Sequence, residues 1–187
     1  NNKVNSNKTL TPKLITKLGI SFLLLVILMA GCYVLTTLYF TQKYRQESAQ
    51  KLNVNLAQHL IDEKFQNAEP FLEDGNVNKA LFGDLMHDMM AVNRAIEVYL
   101  LDQKGKILYS VVLSHDNPNE PAQQVDITPI KAFINSKGEQ YVLGDDPRNP
   151  GLQKVFSAAP YSSKGHEGYI YIVLESKVEE AISASLA

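Results

Sequence analysis

The spacing of apolar residues changes period along this chain. It begins with a run free of charged residues from Gly19 to Phe40, GISFLLLVILMAGCYVLTTLYF. At 1.5 Å per residue a helix of that length spans roughly the 30 Å hydrocarbon core of a bilayer. A buried core helix needs polar positions along one face, and the polar groups here are small hydroxyls scattered through the run. From Thr41 to about Phe65 the chain has neither Gly nor Pro, and Leu52, Leu56, Leu60 and Phe65 recur near one helical face. This predicts a stalk helix that continues the membrane helix outward. Its apolar face is expected to pair with its copy in a dimer or to pack on its own domain.

Glu69-Pro70 and Asp74-Gly75-Asn76 break that helix. A second helix is predicted from about Val77 to Ala95, with Leu81, Leu85 and Met89 on one side and Phe82, Met86 and Met90 beside them. The period then changes to two: Ile96, Val98 and Leu100 alternate with Glu97, Tyr99 and Leu101. The turn Asp102-Gln103-Lys104-Gly105-Lys106 leads into Ile107 to Leu113, which predicts a β-hairpin. A polar loop, His115 to Gln124, comes next. Thr128-Pro129 supplies a hydroxyl cap and a proline at the first position of a short helix that Gly138 ends. Gln140 to Leu143, Gln153 to Ala159 and Gly168 to Leu174 read as three further strands, the last two joined through Ser162-Ser163-Lys164-Gly165. The stretch from Ser176 reads as helix.

The expected fold class is therefore α+β, with five strands mostly in hairpins and the helices gathered on one side. The expected boundaries are a tail over 1–17, a transmembrane helix over 18–40, a stalk over 41–68, a folded domain over 69–175 and a C-terminal helix over 176–187.

Charge fixes the expected orientation. Lys3, Lys8, Lys13 and Lys17 precede the apolar run with no acid among them, while Lys43 and Arg45 after it are soon joined by Glu47. The positive-inside rule puts the N-terminus in the cytoplasm and the folded domain outside. Tyr33, Tyr39 and Tyr44 lie towards the outer end, where amphipathic rings favour the interface. A cleaved signal peptide is the weaker reading, because the run is too long and no A-x-A site closes it. Met29-Ala30-Gly31-Cys32 resembles a lipoprotein box, but the residues after Cys32 stay uncharged where a lipoprotein turns polar. Cys32 is the only cysteine, so the folded domain owes nothing to disulfides or thiolate metal sites. Net charge is −2 with both signs mixed and no basic stripe, which points away from nucleic acid.

Catalytic chemistry is thin. There is no Gly-rich phosphate loop, nucleophile elbow, HExxH or EF-hand loop. Asp84, His87 and Asp88 share a helix at metal-compatible spacing, but read better as its solvated face. No catalytic residue, metal site or cofactor is assigned, and the chain is not expected to be an enzyme. The segment that invites a binding reading is Leu143 to Pro160, LGDDPRNPGLQKVFSAAP. Arg148 suits a ligand carboxylate in bidentate fashion, with Asp145 and Asp146 suited to an amine. The plainer reading is that one of these acids caps the turn and pairs with Arg148. Tyr99, Tyr109, Tyr141, Phe156, Tyr169 and Tyr171 bring rings onto strands, and core is their default role. The candidate ligand-binding set is Arg148, Asp145, Asp146, Tyr99, Tyr109, Lys154 and Tyr171.

A membrane helix, a long helix and then EVYLLDQKGKILYS resemble the extracytoplasmic PAS-like domains called Cache or PDC domains. The later pieces GDDPR, KVFSAAP and GYIYIVLES resemble the outer domains of bacterial membrane-bound sensor histidine kinases. The resemblance covers about Thr41 to Glu175. It implies a five-stranded antiparallel sheet flanked by a long N-terminal helix, with a ligand held between the sheet and its covering loops. It also implies a homodimer, and a second membrane helix leading to cytoplasmic signalling modules of a two-component system. The sequence carries no catalytic histidine motif and no ATP-binding glycine motif, so this chain is expected to be the input half of such a receptor, stopping before that second helix. The ligand it implies is an unidentified small molecule. The rival expectation is a module that recognises a periplasmic protein partner or simply dimerises, and the same outer domain also suits a chemoreceptor or a cyclic-dinucleotide enzyme.

Overall fold

The structure is a computed structural model that describes residues 12–66, 68–92, 96–112 and 121–174. The expected inner-tail lysines Lys3 and Lys8, most of the His115–Gln124 loop and the helix from Ser176 lie outside the described residues. The chain divides into two units, Asn1–Arg45 and Gln46–Ala187.

Within the first unit, helix α1 (Pro12–Leu52, of which the residues up to Arg45 belong here) leaves its large apolar side chains uncovered by protein from Leu14 to Phe40. It is the one helix among the described residues long and apolar enough to cross a membrane. The Thr36 hydroxyl donates to the Cys32 carbonyl at 2.8 Å, so it carries its own partner into an apolar surrounding.

The second unit is α+β. After the last turn of α1 come α2 (Leu56–Lys64), α3 (Lys79–Val92), β1 (Ile96–Asp102), β2 (Ile107–Val111), α4 (Ile127–Asn135), β3 (Gly144–Asp145), β4 (Gln153–Lys154), β5 (Phe156–Ser163) and β6 (His166–Leu174). Four strands form one antiparallel sheet in the order β2-β1-β6-β5, and β3 and β4 form a separate two-stranded ladder. The expected single five-stranded sheet is thus corrected to four strands plus a small ladder. The expected strand at Gln140–Leu143 is irregular chain, and pairing begins only at Gly144.

Both faces of this sheet are covered. On one, Val98, Leu100, Ile170, Ile172, Ala159 and Tyr161 meet Ala57 of α2 and Phe82 and Leu85 of α3. On the other, Tyr99, Leu101, Tyr171, Val173, Phe156 and Ala158 meet Ile130 and Phe133 of α4. The helices are therefore not all on one side, as the hairpin pattern suggested. Strand β1 is buried at Val98, Tyr99, Leu100 and Leu101 alike, so its alternation separates two cores and not core from solvent.

The stalk is also corrected. It breaks at Asn53–Asn55, between α1 and α2. The Asn53 side-chain amide donates to the Ala49 carbonyl at 2.8 Å, a local bond by which asparagine competes with the helix ladder. Ser157 of β5 then holds both sides of the break. Its hydroxyl donates to the Val54 carbonyl at 3.1 Å and accepts the Ala57 N–H at 3.2 Å. After the break, α2 packs on one face of the sheet, while the last turn of α1 bonds the edge of β5 through Gln50. Leu56, Leu60 and Phe65 pack into the core, but Leu52, expected on the same face, is 85 % exposed.

Helix α3 starts two residues later than expected and buries Leu81, Phe82 and Leu85, while Met86 is exposed. Helix α4 is capped by Asp126, whose carboxylate accepts the Thr128 N–H at 2.8 Å; Thr128 therefore lies inside the helix and is not its cap. Its C-terminal exit uses Lys137 and Gly138 at positive φ, and a Cβ at Gly138 would run into the Val54 side chain. The β5–β6 turn tightens to Lys164-Gly165, both at positive φ as a two-residue hairpin turn of this hand requires.

Candidate functional site

Strands β3 and β4 and the loop between them fold over the Tyr99–Tyr171 side of the sheet. Pro147 sits at the turn, and local bonds shape the loop. The Asp146 N–H donates to the Leu152 carbonyl at 2.9 Å, and the Leu152 N–H to the Asn149 carbonyl at 3.0 Å. The Asp146 carboxylate accepts the Arg148 N–H at 3.0 Å and the Asn149 side-chain amide at 2.7 Å, an Asx-type turn. Lys154, the last residue of β4, brings its ammonium to 3.1 Å from the same carboxylate.

This turn aims Arg148 inward. Its guanidinium meets the Glu97 carboxylate of β1 at 2.9 Å, and both side chains are nearly inaccessible, at 4 % and 5 % exposure. The Tyr99 hydroxyl donates to the other Glu97 oxygen at 2.6 Å. Burial first, then the negative charge of Glu97, push the Tyr99 phenol far above its ordinary range, so it remains a donor at every physiological pH. The Tyr171 hydroxyl donates to the Asp145 carbonyl at 2.7 Å. Its phenol is also pushed up, by burial and then by Asp145 and Asp146. A Cβ at Gly144 would collide with that hydroxyl oxygen and crowd the Phe156 ring, so glycine is what lets β3 lie this close to the sheet.

Six of the seven candidate residues thus converge: Arg148, Asp145, Asp146, Tyr99, Lys154 and Tyr171. The seventh, Tyr109, lies on the other side of the sheet with its ring 5.1 Å from Phe82. The expected pairing of Arg148 with Asp145 or Asp146 is corrected in part. Asp146 does shape the turn through the Arg148 backbone, but the guanidinium goes to Glu97. The Asp145 carboxylate instead accepts the Asp126 N–H at 2.8 Å, which ties the loop to the start of α4. Glu97 was not among the candidates. The available signal was an acid within the apolar run IEVYLL, where a buried carboxylate requires a buried cation.

The network holds three carboxylates, Glu97, Asp145 and Asp146, and two cations, Arg148 and Lys154. Arg148 is directed at Glu97 and Lys154 at Asp146. Two open clefts lie elsewhere on the unit. One of about 360 Å³ runs between the end of α2 and the β5–β6 hairpin, lined by Asp62, Phe65, Glu69, Tyr161 and Lys164 among others. A second of about 290 Å³ lies beside the helix break, lined by Asn55, Gln58, Phe133 and Lys137 among others. None of the seven candidates lines either cleft. Asp84, His87 and Asp88 are exposed on α3, and Asp88 forms an ion pair with Lys64.

Comparison with protein-family models, with curated proteins and with solved structures returns no match.

Proposed function

We propose that this chain is the signal-input region of a bacterial-type transmembrane receptor, with its N-terminus in the cytoplasm and its folded unit outside. The observation that carries this reading is the course of α1. One helix contains the apolar run and ends in a turn whose Gln50 side chain is buried in the α+β unit, so a displacement of that unit has a covalent route to the membrane segment. The four-stranded antiparallel sheet, with α2 and α3 on one face and α4 and a covering loop on the other, supports a PAS-like architecture in which β3 and β4 have split from the main sheet. In this reading the output belongs to a sensor histidine kinase, and the input acts by population shift: a ligand that prefers one arrangement of the covering loop biases the helix leaving it. Homodimerisation through the helices belongs to the same proposal.

A second reading, recognition of a periplasmic protein, gains weight from the ion network. Arg148, Asp145 and Asp146 are bonded within the protein, and a ligand that used them would first have to displace those bonds.

The deciding experiment is thermal unfolding of the full chain in lipid nanodiscs against small carboxylates, amines, amino acids and divalent ions. A midpoint that climbs with ligand concentration, as linkage requires, supports the small-molecule sensor. A midpoint unmoved by every compound removes that reading in favour of a protein partner.

A further inference from the structure

Gln50 is buried to 1 % exposure at the end of α1, an unusual place for a carboxamide on a helix that has just been exposed to its surroundings. Its side chain is fully engaged. Nε2 donates to the Val142 carbonyl at 2.8 Å and to the Phe156 carbonyl at 3.1 Å, and Oε1 accepts the Val142 N–H at 3.1 Å. The amide therefore pairs with both backbone groups of Val142, as a neighbouring strand would, and also bonds the edge of β5. One turn earlier, Gln46 accepts the Tyr141 hydroxyl at 2.8 Å. Two glutamines one turn apart thus hold the irregular segment 141–142.

That segment leads directly into Gly144–Asp145 and on to Arg148. Its other end is fixed by the Arg148–Glu97 pair and by the Asp145 carboxylate. Between Val142 and Arg148 lie five residues, of which Gly144 and Asp145 are paired with β4, so the two anchored ends are joined by a short, partly laddered connection. We propose that Gln50 is a positioning residue, the contact through which the 142–154 loop and the end of α1 respond to each other. Its biological purpose rests on the sensor reading above; the coupling itself is a property of the fold and is measurable without any ligand.

The test is native-state hydrogen exchange of the full chain in nanodiscs, read in both directions because coupling between sites is reciprocal. In Gln50→Met, which keeps the volume and removes all three of the amide's hydrogen bonds, exchange is expected to rise at least roughly tenfold, the scale of a single lost buried hydrogen bond. The rise should appear at Val142 and also at Asp146, Asn149 and Leu152, whose N–H groups close the loop. In Arg148→Lys, exchange should rise at Asn53 and Leu56, on the helix side. Asp88→Asn, which breaks an ion pair on the other face of the sheet, should move neither set. Faster exchange at Val142 alone overturns the proposal. So does a uniform rise that includes α3 and β1, which marks plain loss of stability. Should Gln50→Met fail to fold, the Arg148→Lys arm decides alone. A chain that responds to no ligand but shows the reciprocal pattern keeps the coupling and loses the sensor reading; the opposite result does the reverse.

Discussion

The Arg148 guanidinium and the Glu97 carboxylate, 51 positions apart, meet at 2.9 Å with almost no access to water. Removing one member of such a pair leaves the other buried without its counter-charge, at a cost of about 3–5 kcal/mol. Arg148→Met is therefore expected to lower the free energy of unfolding by that amount, read from the denaturant midpoint and slope. The double variant Arg148→Met/Glu97→Gln should recover most of the loss, since it leaves no charge buried without its partner and keeps an acceptor for the Tyr99 hydroxyl. Equal destabilisation of the single and double variants, followed by circular dichroism, would remove the pair as the reason.

Much of the architecture was open to reading and the ion pair was not, for a physical reason. Helix α3, the β1–β2 hairpin and β6 announce themselves by local period, which needs only neighbours in sequence. The break at Asn53–Asn55 uses neither Gly nor Pro, and Ser157, which clamps it, arrives from β5 roughly a hundred positions away. Strand β5 keeps Pro160 because that position lies on the outer edge of the sheet, where a missing N–H costs no ladder bond. In the candidate site, the motif GDDPR marked the loop that carries Arg148, yet the direction of the guanidinium depended on Glu97, whose face could not be read from a strand buried on both sides.

Gly144 is expected to resist substitution. In Gly144→Ala the new methyl meets the Tyr171 hydroxyl and the Phe156 ring, and overpacking of this kind costs about 1–3 kcal/mol. The same change in a Tyr171→Phe background should cost less, because the oxygen in collision is gone. Identical costs in both backgrounds, compared by thermal unfolding, would show that the hydroxyl is not the obstacle.

Asp126 gives a pH prediction with a definite sign. Its carboxylate accepts the Thr128 N–H and hydroxyl, and those bonds, backbone first, hold its pKa below the ordinary carboxylate value. A depressed folded value means that the cap contributes fully above the unfolded value and is lost as pH falls through the folded one. Asp126→Ala should cost about 1 kcal/mol at neutral pH, while Asp126→Asn keeps a cap that does not titrate. The stability difference between the native chain and Asp126→Asn should therefore shift towards Asn as the solution is acidified below about pH 4. A difference that stays constant from neutral to acid pH would mean that the carboxylate is not titrating against this cap.

Cys32 tests the membrane segment directly. No protein covers its thiol in the described structure, so in water it should react freely with a maleimide. If Gly19–Phe40 spans a bilayer, lipid covers it instead, and a membrane-impermeant maleimide should leave it unlabelled in sealed vesicles yet label it after detergent is added. The reporter for the far side is Leu152→Cys, at an exposed position on the covering loop. In a Cys32→Ser background, in vesicles with the native outer face outward, it should label without detergent. Labelling of Cys32 in sealed vesicles would sink the spanning helix. Protection of Leu152→Cys would reverse the orientation while leaving the helix in place, so the two thiols separate the questions of whether the chain crosses the membrane and which way it faces.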